Sequence, residues 1–158
     1  MVRAWPRVLP DRPHVVDRCE RVLTDGCEYS GVVGLGDVVV LDWDIAVDPD
    51  ELRRFAACCA DRVRVAPYRK YDADGWVWAH RRVEGDRWRR IRDGEPVCDR
   101  FGFGLVYLPG VLVDAFAASG VVPFDDAQFS EWHHTRFGGA AIDWGCRPVH
   151  LNHERVML

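Results

Sequence analysis

The chain has 158 residues, of which 48% are hydrophobic and 29% charged, so it can bury one core and is not a disordered segment. Its net charge of −4 excludes the broad positive field of a nucleic-acid-binding protein, although Arg81-Arg82 and Arg87 to Arg92 form a local basic patch. Neither a signal peptide at residues 1–10 nor an apolar run of roughly 20 residues is evident, so we expect a soluble, cytoplasmic protein with one domain over residues 1–158.

The first third of the chain is predicted to contain two helices and one buried strand. Residues His14–Thr24 carry apolar side chains at helical spacing, and the stretch 25–37 is rich in turn residues. The segment "VVVLDWDIAV" (38–47) begins as a buried strand. A helix follows, with Asp48 as N-cap and Pro49 at its first position. Its apolar face holds Leu52, Phe55, Ala56 and Cys59.

The rest of the chain alternates strands with two more helices. Strands are predicted at 62–67, 76–83, 86–94, 101–109, 140–144 and 147–152, with 76–83 and 86–94 forming an antiparallel pair around a turn at Glu84-Gly85-Asp86. Helices are predicted at Pro109–Ser119 and at Asp125–Phe137, the second with Asp125 as its cap. This order indicates an α/β domain with a mixed, mostly parallel sheet flanked by helices.

The cysteines and most histidines favour structural interpretations. The six cysteines form no C-x-x-C pair and the chain is not short of core residues, so we expect free, buried thiols. His80, His133 and His134 have no spacing typical of metal ligands, and we interpret them as surface or core histidines.

The strand at residue 38 ends in two acids around a tryptophan. Alternation along an extended chain puts Asp42 and Asp44 on one side and Trp43 on the other, at a strand end where clefts commonly lie. Two carboxylates held there either bind a cation or share a proton. The plainer alternative is that they cap a turn or pair with arginines.

Two later segments complete a resemblance. Asp125 and Asp126 open a helix, and "RPVHLNH" (147–153) carries His150 near the end of the chain. Together with the D-x-D acids, these segments resemble the glycosyltransferases of the GT-A fold, in which a D-x-D motif and a late histidine hold a divalent metal against a nucleotide-sugar diphosphate. The resemblance runs from about Gly36 to His153 and implies a GT-A-like domain that moves a sugar from a nucleoside-diphosphate sugar to an acceptor hydroxyl.

The resemblance implies a metal centre of Asp42, Asp44 and His150 that binds Mn²⁺ or Mg²⁺. Oxygen and imidazole ligands suit these ions, and the metal acts as a Lewis acid on the leaving diphosphate. His150 and His153 face opposite sides of a strand, and we favour His150.

Further residues are expected around the donor. The resemblance puts Asn152 near the donor phosphates, and Trp43 and Trp144 are the tryptophans expected to approach the site. Lys70 can neutralise phosphate charge or belong to a solvated turn.

The acids at the start of the later helix resemble the family's acidic motif that faces the acceptor, and the resemblance implies that they are the catalytic residues. A carboxylate there can accept the proton of an acceptor hydroxyl, and a helix N-terminus keeps it ionised. Asp125 serves equally well as a simple N-cap, so Asp126 is the stronger candidate for chemistry.

Two other functions remain open. Only 41 residues precede Asp42, which implies a minimal glycosyltransferase, a pocket completed by a homo-oligomer, or a nucleotide- or sugar-binding module without catalysis. The segment 38–47 also resembles the first motif of haloacid dehalogenase-type phosphatases, with Asp42 as nucleophile, Asp44 as general acid, and Lys70 with Asp125 and Asp126 as later motifs. The donor base, its sugar and the acceptor are not indicated.

Overall fold

The computed structural model describes residues 3–7, 14–19, 33–42, 45–57, 61–68, 79–85 and 87–150. The strands in these ranges are β1 (Arg3–Arg7), β2 (His14–Cys19), β3 (Val38–Asp42), β4 (Ile45–Ala46), β5 (Arg64–Val65), β6 (Ala79–Arg82), β7 (Trp88–Arg90), β8 (Val97–Cys98), β9 (Arg100–Phe101), β10 (Leu105–Leu108), β11 (Ala140–Ile142) and β12 (Val149–His150). The helices are α1 (Pro49–Ala57), α2 (Gly110–Ala118) and α3 (Asp126–Phe137).

The main sheet has seven strands in the order β1-β2-β3-β10-β5-β11-β8. Among these strands only the pairs β2–β3 and β5–β11 are parallel, and the other neighbours are antiparallel. The predicted α/β domain with a mixed sheet is confirmed, but the prediction of a mostly parallel sheet is wrong. The reason is β10, which inserts between β3 and β5 in the opposite direction, and an apolar run carries no signal of strand direction.

The sheet is covered by helices on both faces. Side chains alternate along β3, so Val38 and Val40 pack in one apolar cluster with Phe116 of α2 and Phe129 of α3. The residue between them, Val39, packs in a second cluster with residues of α1. Burial on both sides explains why β3 and β10 read as continuous apolar runs.

The predicted helix caps are confirmed. The Asp48 carboxylate accepts hydrogen bonds from the backbone N–H groups of Asp50 and Glu51, at 2.9 and 3.1 Å, before α1. The Asp125 carboxylate accepts one from the N–H of Gln128 at 2.7 Å before α3. These bonds satisfy N–H groups that have no partner inside the helix.

The helix predicted at His14–Thr24 is wrong over its first part, because residues His14–Cys19 form β2 between β1 and β3. Residues 20–24 lie outside the described residues. Val15 and Val16 lie opposite Val39 and Val40 of β3, and pairing of β-branched residues in a sheet outweighs a short helical spacing. The strand β1 had no sequence prediction.

Two smaller sheets accompany the main one. Strands β7, β6 and β9 form a three-stranded sheet, referred to below as the small sheet, and β12 pairs with β4. The predicted antiparallel pair is confirmed as β6 with β7.

No helix within the described ranges is long and apolar enough to cross a membrane. The described thiols Cys98 and Cys146 are free and buried, as predicted.

Candidate functional site

One edge of the main sheet gathers the ends of three strands that run the same way. Strand β10 is antiparallel to both β3 and β5, so β3 and β5 share a direction, and β11 is parallel to β5. Their carboxyl ends, at Asp42, Val65 and Ile142, therefore lie at the same edge, where the opposite strand β10 starts at Leu105. Ligand crevices in open α/β sheets lie outside the carboxyl ends of such strands.

Gly104, which precedes β10, is the centre of this edge. Its carbonyl oxygen accepts a hydrogen bond from the backbone N–H of Asp42 at 2.9 Å. A Cβ at Gly104 would lie 2.2 Å from Cε1 of Tyr68, so the tyrosine ring covers the glycine directly. The same ring stacks on His150, at 5.8 Å between ring centres with a 19° interplanar angle. Asp42 and Tyr68 thus both contact Gly104, and His150 joins this group through its stacking on Tyr68.

The late histidine lies next to the segment that carries the D-x-D motif. In the β4–β12 pair, His150 is directly opposite Ile45, and Val149 is opposite Ala46. Only two residues separate Asp42 from Ile45 in the chain. The structure therefore brings His150 to the end of the strand that Asp42 terminates.

Several predicted site residues lie outside the described residues. These are Trp43, Asp44, Lys70 and Asn152. In the part of the chain that is described, no group of three or more His, Cys, Asp or Glu side chains is placed to hold a metal ion. The described donors, the Asp42 carboxylate and the His150 imidazole, fit Mn²⁺ or Mg²⁺ in chemical type. With Asp44 they remain the predicted ligand set.

Asp125 and Asp126 have different surroundings. The Asp125 carboxylate is engaged as the N-cap of α3, in agreement with the capping interpretation. Asp126 instead lines a cavity of about 260 Å³ together with His80, Trp88, Arg100, Phe101 and Ala127. Burial raises the pKa of the Asp126 carboxyl above its usual range, and hydrogen bonds to the backbone of Ala127 and Phe103 act in the opposite direction.

Phe103 links Asp126 to the edge of the sheet. Its backbone interacts with the Asp126 carboxylate, and its neighbour in the chain is Gly104. The predicted base and the residues around Asp42 therefore flank the same short segment before β10. A raised pKa makes the ionised carboxylate a stronger base. The carboxylate is ionised at any pH above this pKa.

A second cavity, of about 480 Å³, borders the same edge. It is lined by Pro67, Asp93, Gly94, Trp144, Arg147, Pro148 and Val149. Pro67 and Val149 are the chain neighbours of Tyr68 and His150. Trp144, which was expected to approach the site, lies in this cavity wall and donates its indole N–H to the carbonyl of Glu95 at 2.7 Å.

The three histidines interpreted as structural differ from one another. His133 is 3% exposed among aromatic rings, and burial lowers its pKa to about 4. His134 lies with its Nδ1 3.4 Å from the Asp99 carboxylate. His80 lines the cavity beside Asp126, which its spacing in the sequence did not indicate.

Sequence reasoning also missed Tyr68, Gly104, Trp88 and Arg100. For Gly104 a signal existed, because a glycine inside a strand pattern marks a close approach of another group.

Comparison of the chain with protein-family models, with curated proteins and with solved structures gave no match.

Proposed function

We propose that the protein is a metal-dependent glycosyltransferase with a GT-A-like fold, which moves a sugar from a nucleoside-diphosphate sugar to an acceptor hydroxyl. The observation that carries this proposal is the arrangement around Phe103 and Gly104. The backbone N–H of Asp42 bonds to Gly104, and the Asp126 carboxylate bonds to the backbone of Phe103, the preceding residue. Tyr68, whose ring covers Gly104, stacks on the late histidine His150. A donor site and a base for the acceptor must lie near each other, so that the acceptor oxygen can reach the anomeric carbon.

Asp42, Asp44 and His150 would hold Mn²⁺ or Mg²⁺ in this proposal. The bound ion supplies Lewis acidity toward the leaving diphosphate. The pairing of His150 with Ile45 supports this set, because it ties the histidine to the chain immediately after the D-x-D acids. Tyr68, which covers Gly104, stacks on the His150 ring, and this contact also connects the histidine to the edge where β3 ends.

Asp126 acts as the general base in this proposal. Its carboxylate accepts the proton of the acceptor hydroxyl, whose oxygen forms the new bond to the anomeric carbon of the sugar. The nucleoside diphosphate leaves with the electron pair of the broken bond. The cavity beside Asp126 and the raised pKa of its carboxyl support this role.

Thermal-shift measurements with MnCl₂ and individual nucleoside diphosphates test the donor site. A ligand that binds only the folded state raises the melting temperature, so we expect a rise with manganese and at least one nucleotide. Asp42→Asn should abolish the rise, since a carboxamide lacks the charge of a metal ligand. The backbone bond between Asp42 and Gly104 does not involve the replaced group.

Asp61→Asn is the matched control, because Asp61 is a 93% exposed acid whose described partner is Arg62. It should keep the full thermal shift. Equal stabilisation of parent and Asp42→Asn by manganese and nucleotide would overturn the proposed metal centre.

Turnover separates the three candidate functions. With manganese and the matching nucleotide-sugar, the protein should release nucleoside diphosphate, and Asp126→Asn should lower kcat for transfer without changing the nucleotide-induced thermal shift. A fast magnesium-dependent hydrolysis of aryl phosphates that Asp42→Asn removes would instead identify a phosphatase. Nucleotide binding without any turnover would identify a binding module.

A further inference from the structure

The cavity beside Asp126 carries charges of both signs on its walls. It lies between the small sheet, which contributes His80 and Arg100 to the lining, and the first turn of α3, which contributes Asp126. Its volume of about 260 Å³ is below the roughly 300 to 1,000 Å³ that is usual for drug-sized ligands. This volume suits a small molecule and is too small for a protein segment or a nucleic-acid duplex.

The small sheet is unusually rich in arginine. Its strands carry Arg81, Arg82, Arg89, Arg90 and Arg100. Asp99 neutralises Arg81 at 3.1 Å, and Glu95 neutralises Arg89 at 2.8 Å. Arg100, in contrast, has no carboxylate within ion-pair distance among the residues that the structure describes. Arg100 is thus a source of positive charge at the cavity wall.

Trp88 positions this charge. The guanidinium carbons of Arg100 and Arg82 lie 5.7 and 5.8 Å from the centre of its ring, within the range of cation–π attraction. The pKa of His80 is lowered by burial and by the charges of Arg100 and Arg90. A lowered pKa favours the neutral imidazole, so Arg100 is the cationic side chain among the described residues that line the cavity.

We propose that the acceptor is a small molecule with an anionic group, phosphate or carboxylate, next to its reacting hydroxyl, and that Arg100 binds this group while Asp126 faces the hydroxyl. The inference rests on the proposed function, because it takes Asp126 as the base. Repulsion between the Asp126 carboxylate and the anion keeps the two ends of the molecule apart, which fixes its orientation in the cavity. Arg100 therefore selects an acceptor with a negative charge, and Asp126 determines the orientation in which this acceptor binds.

Isothermal titration of the protein, without metal or donor, tests the anion site. The probes are glucose 6-phosphate, gluconate and glucose, which share a polyol of similar size and differ in charge. We expect at least one anionic probe to bind about tenfold or more tightly than glucose, and its affinity to fall as salt rises. The stronger of the two anionic probes distinguishes phosphate from carboxylate recognition.

Arg100→Gln should weaken binding of the anionic probe about tenfold and leave glucose binding unchanged. Arg136→Gln is the matched control, since the guanidinium of this exposed arginine also lies over a tryptophan ring, that of Trp132, at 5.0 Å. It does not line the cavity and should bind the probe like the parent.

Equal affinity for glucose and both anions, or unchanged anion binding by Arg100→Gln, would overturn the inference. The thermal shift with manganese and nucleotide depends on Asp42 and not on Arg100, so this failure leaves the proposed function standing. A different result would overturn the proposed function instead: the protein binds the anion tightly through Arg100 but never releases nucleoside diphosphate. The anion would then not be an acceptor.

Discussion

Replacing Gly104 with alanine should force the Tyr68 ring away from the edge of the sheet and destabilise the fold. The new Cβ would lie 2.2 Å from Cε1 and 2.8 Å from both Cδ1 and Cζ of Tyr68, whereas ordinary contact begins near 3.4 Å. Tyr68 is only 7% exposed and stacks on His150, so its ring has little room to retreat. Overpacking of this kind costs about 1–3 kcal/mol.

A smaller effect acts in the opposite direction. The backbone at Gly104 lies outside the left-handed region, so alanine fits it without strain. The substitution then stabilises the fold by roughly 0.4–1 kcal/mol through the lower entropy of the unfolded chain. We therefore expect a net loss of about 1–2 kcal/mol in the free energy of unfolding for Gly104→Ala alone.

A double-mutant cycle with Tyr68→Val, measured by urea denaturation, isolates the clash. Valine lacks the ring atoms that the new Cβ would meet, so Gly104→Ala in this background should be neutral or slightly stabilising. The coupling free energy between the two sites should be about 2 kcal/mol. Equal costs of Gly104→Ala in both backgrounds would refute the close packing of Tyr68 on Gly104.

Three other features give separate expectations. Burial lowers the pKa of His133 to about 4 from an unfolded value near 6.5, so protonation favours the unfolded chain as pH falls below 6.5. Between pH 7.5 and 5.5 this removes about 1.3 kcal/mol of stability, and urea denaturation of His133→Asn should lack that part of the pH dependence. Burial raises the pKa values of Cys98 and Cys146 to about 12, so a maleimide at pH 8 should label neither thiol in the folded protein, and rapid labelling would contradict their burial. Asp37 accepts hydrogen bonds from the Tyr107 hydroxyl and the Gly110 N–H, both at 2.8 Å. Asp37→Ala should therefore lower the free energy of unfolding by about 2 kcal/mol, whereas the control Asp114→Ala removes one exposed bond and should cost less than 1 kcal/mol.

The starts of two helices could be predicted from the sequence, because each depends on a few neighbouring residues. The start of α1 was readable because Asp48 can satisfy the first N–H groups of a helix and Pro49 already has a helical φ angle. Asp125 gave the start of α3 in the same way. The order and directions of the strands in the sheet could not be predicted, because the place of β10 between β3 and β5 depends on contacts between distant segments. The same cause explains why residues His14–Cys19, predicted as part of a helix, form β2.

Likewise, only part of the candidate site could be predicted from the sequence. The strand end at Asp42 and the helix start at Asp126 follow from the apolar pattern and the cap, so both were predicted as positions. The cavity that Asp126 shares with His80 and Arg100 was not, since these residues are separated by turns and strands and meet only after folding. The roles of Asp44, Trp43, Lys70 and Asn152 stay predictions.

The position of β5 in the main sheet has a consequence for the order of folding. Both strands that pair with β5 in the described part of the chain come later in the sequence, β10 by about 40 residues and β11 by about 75. During synthesis, Arg64 and Val65 therefore leave the ribosome long before either partner exists, and α1 has no completed sheet to cover. Closing such long loops is slow, so folding should be limited by the arrival of β10, and a nascent chain halted before residue 105 should remain sensitive to proteases between α1 and β5.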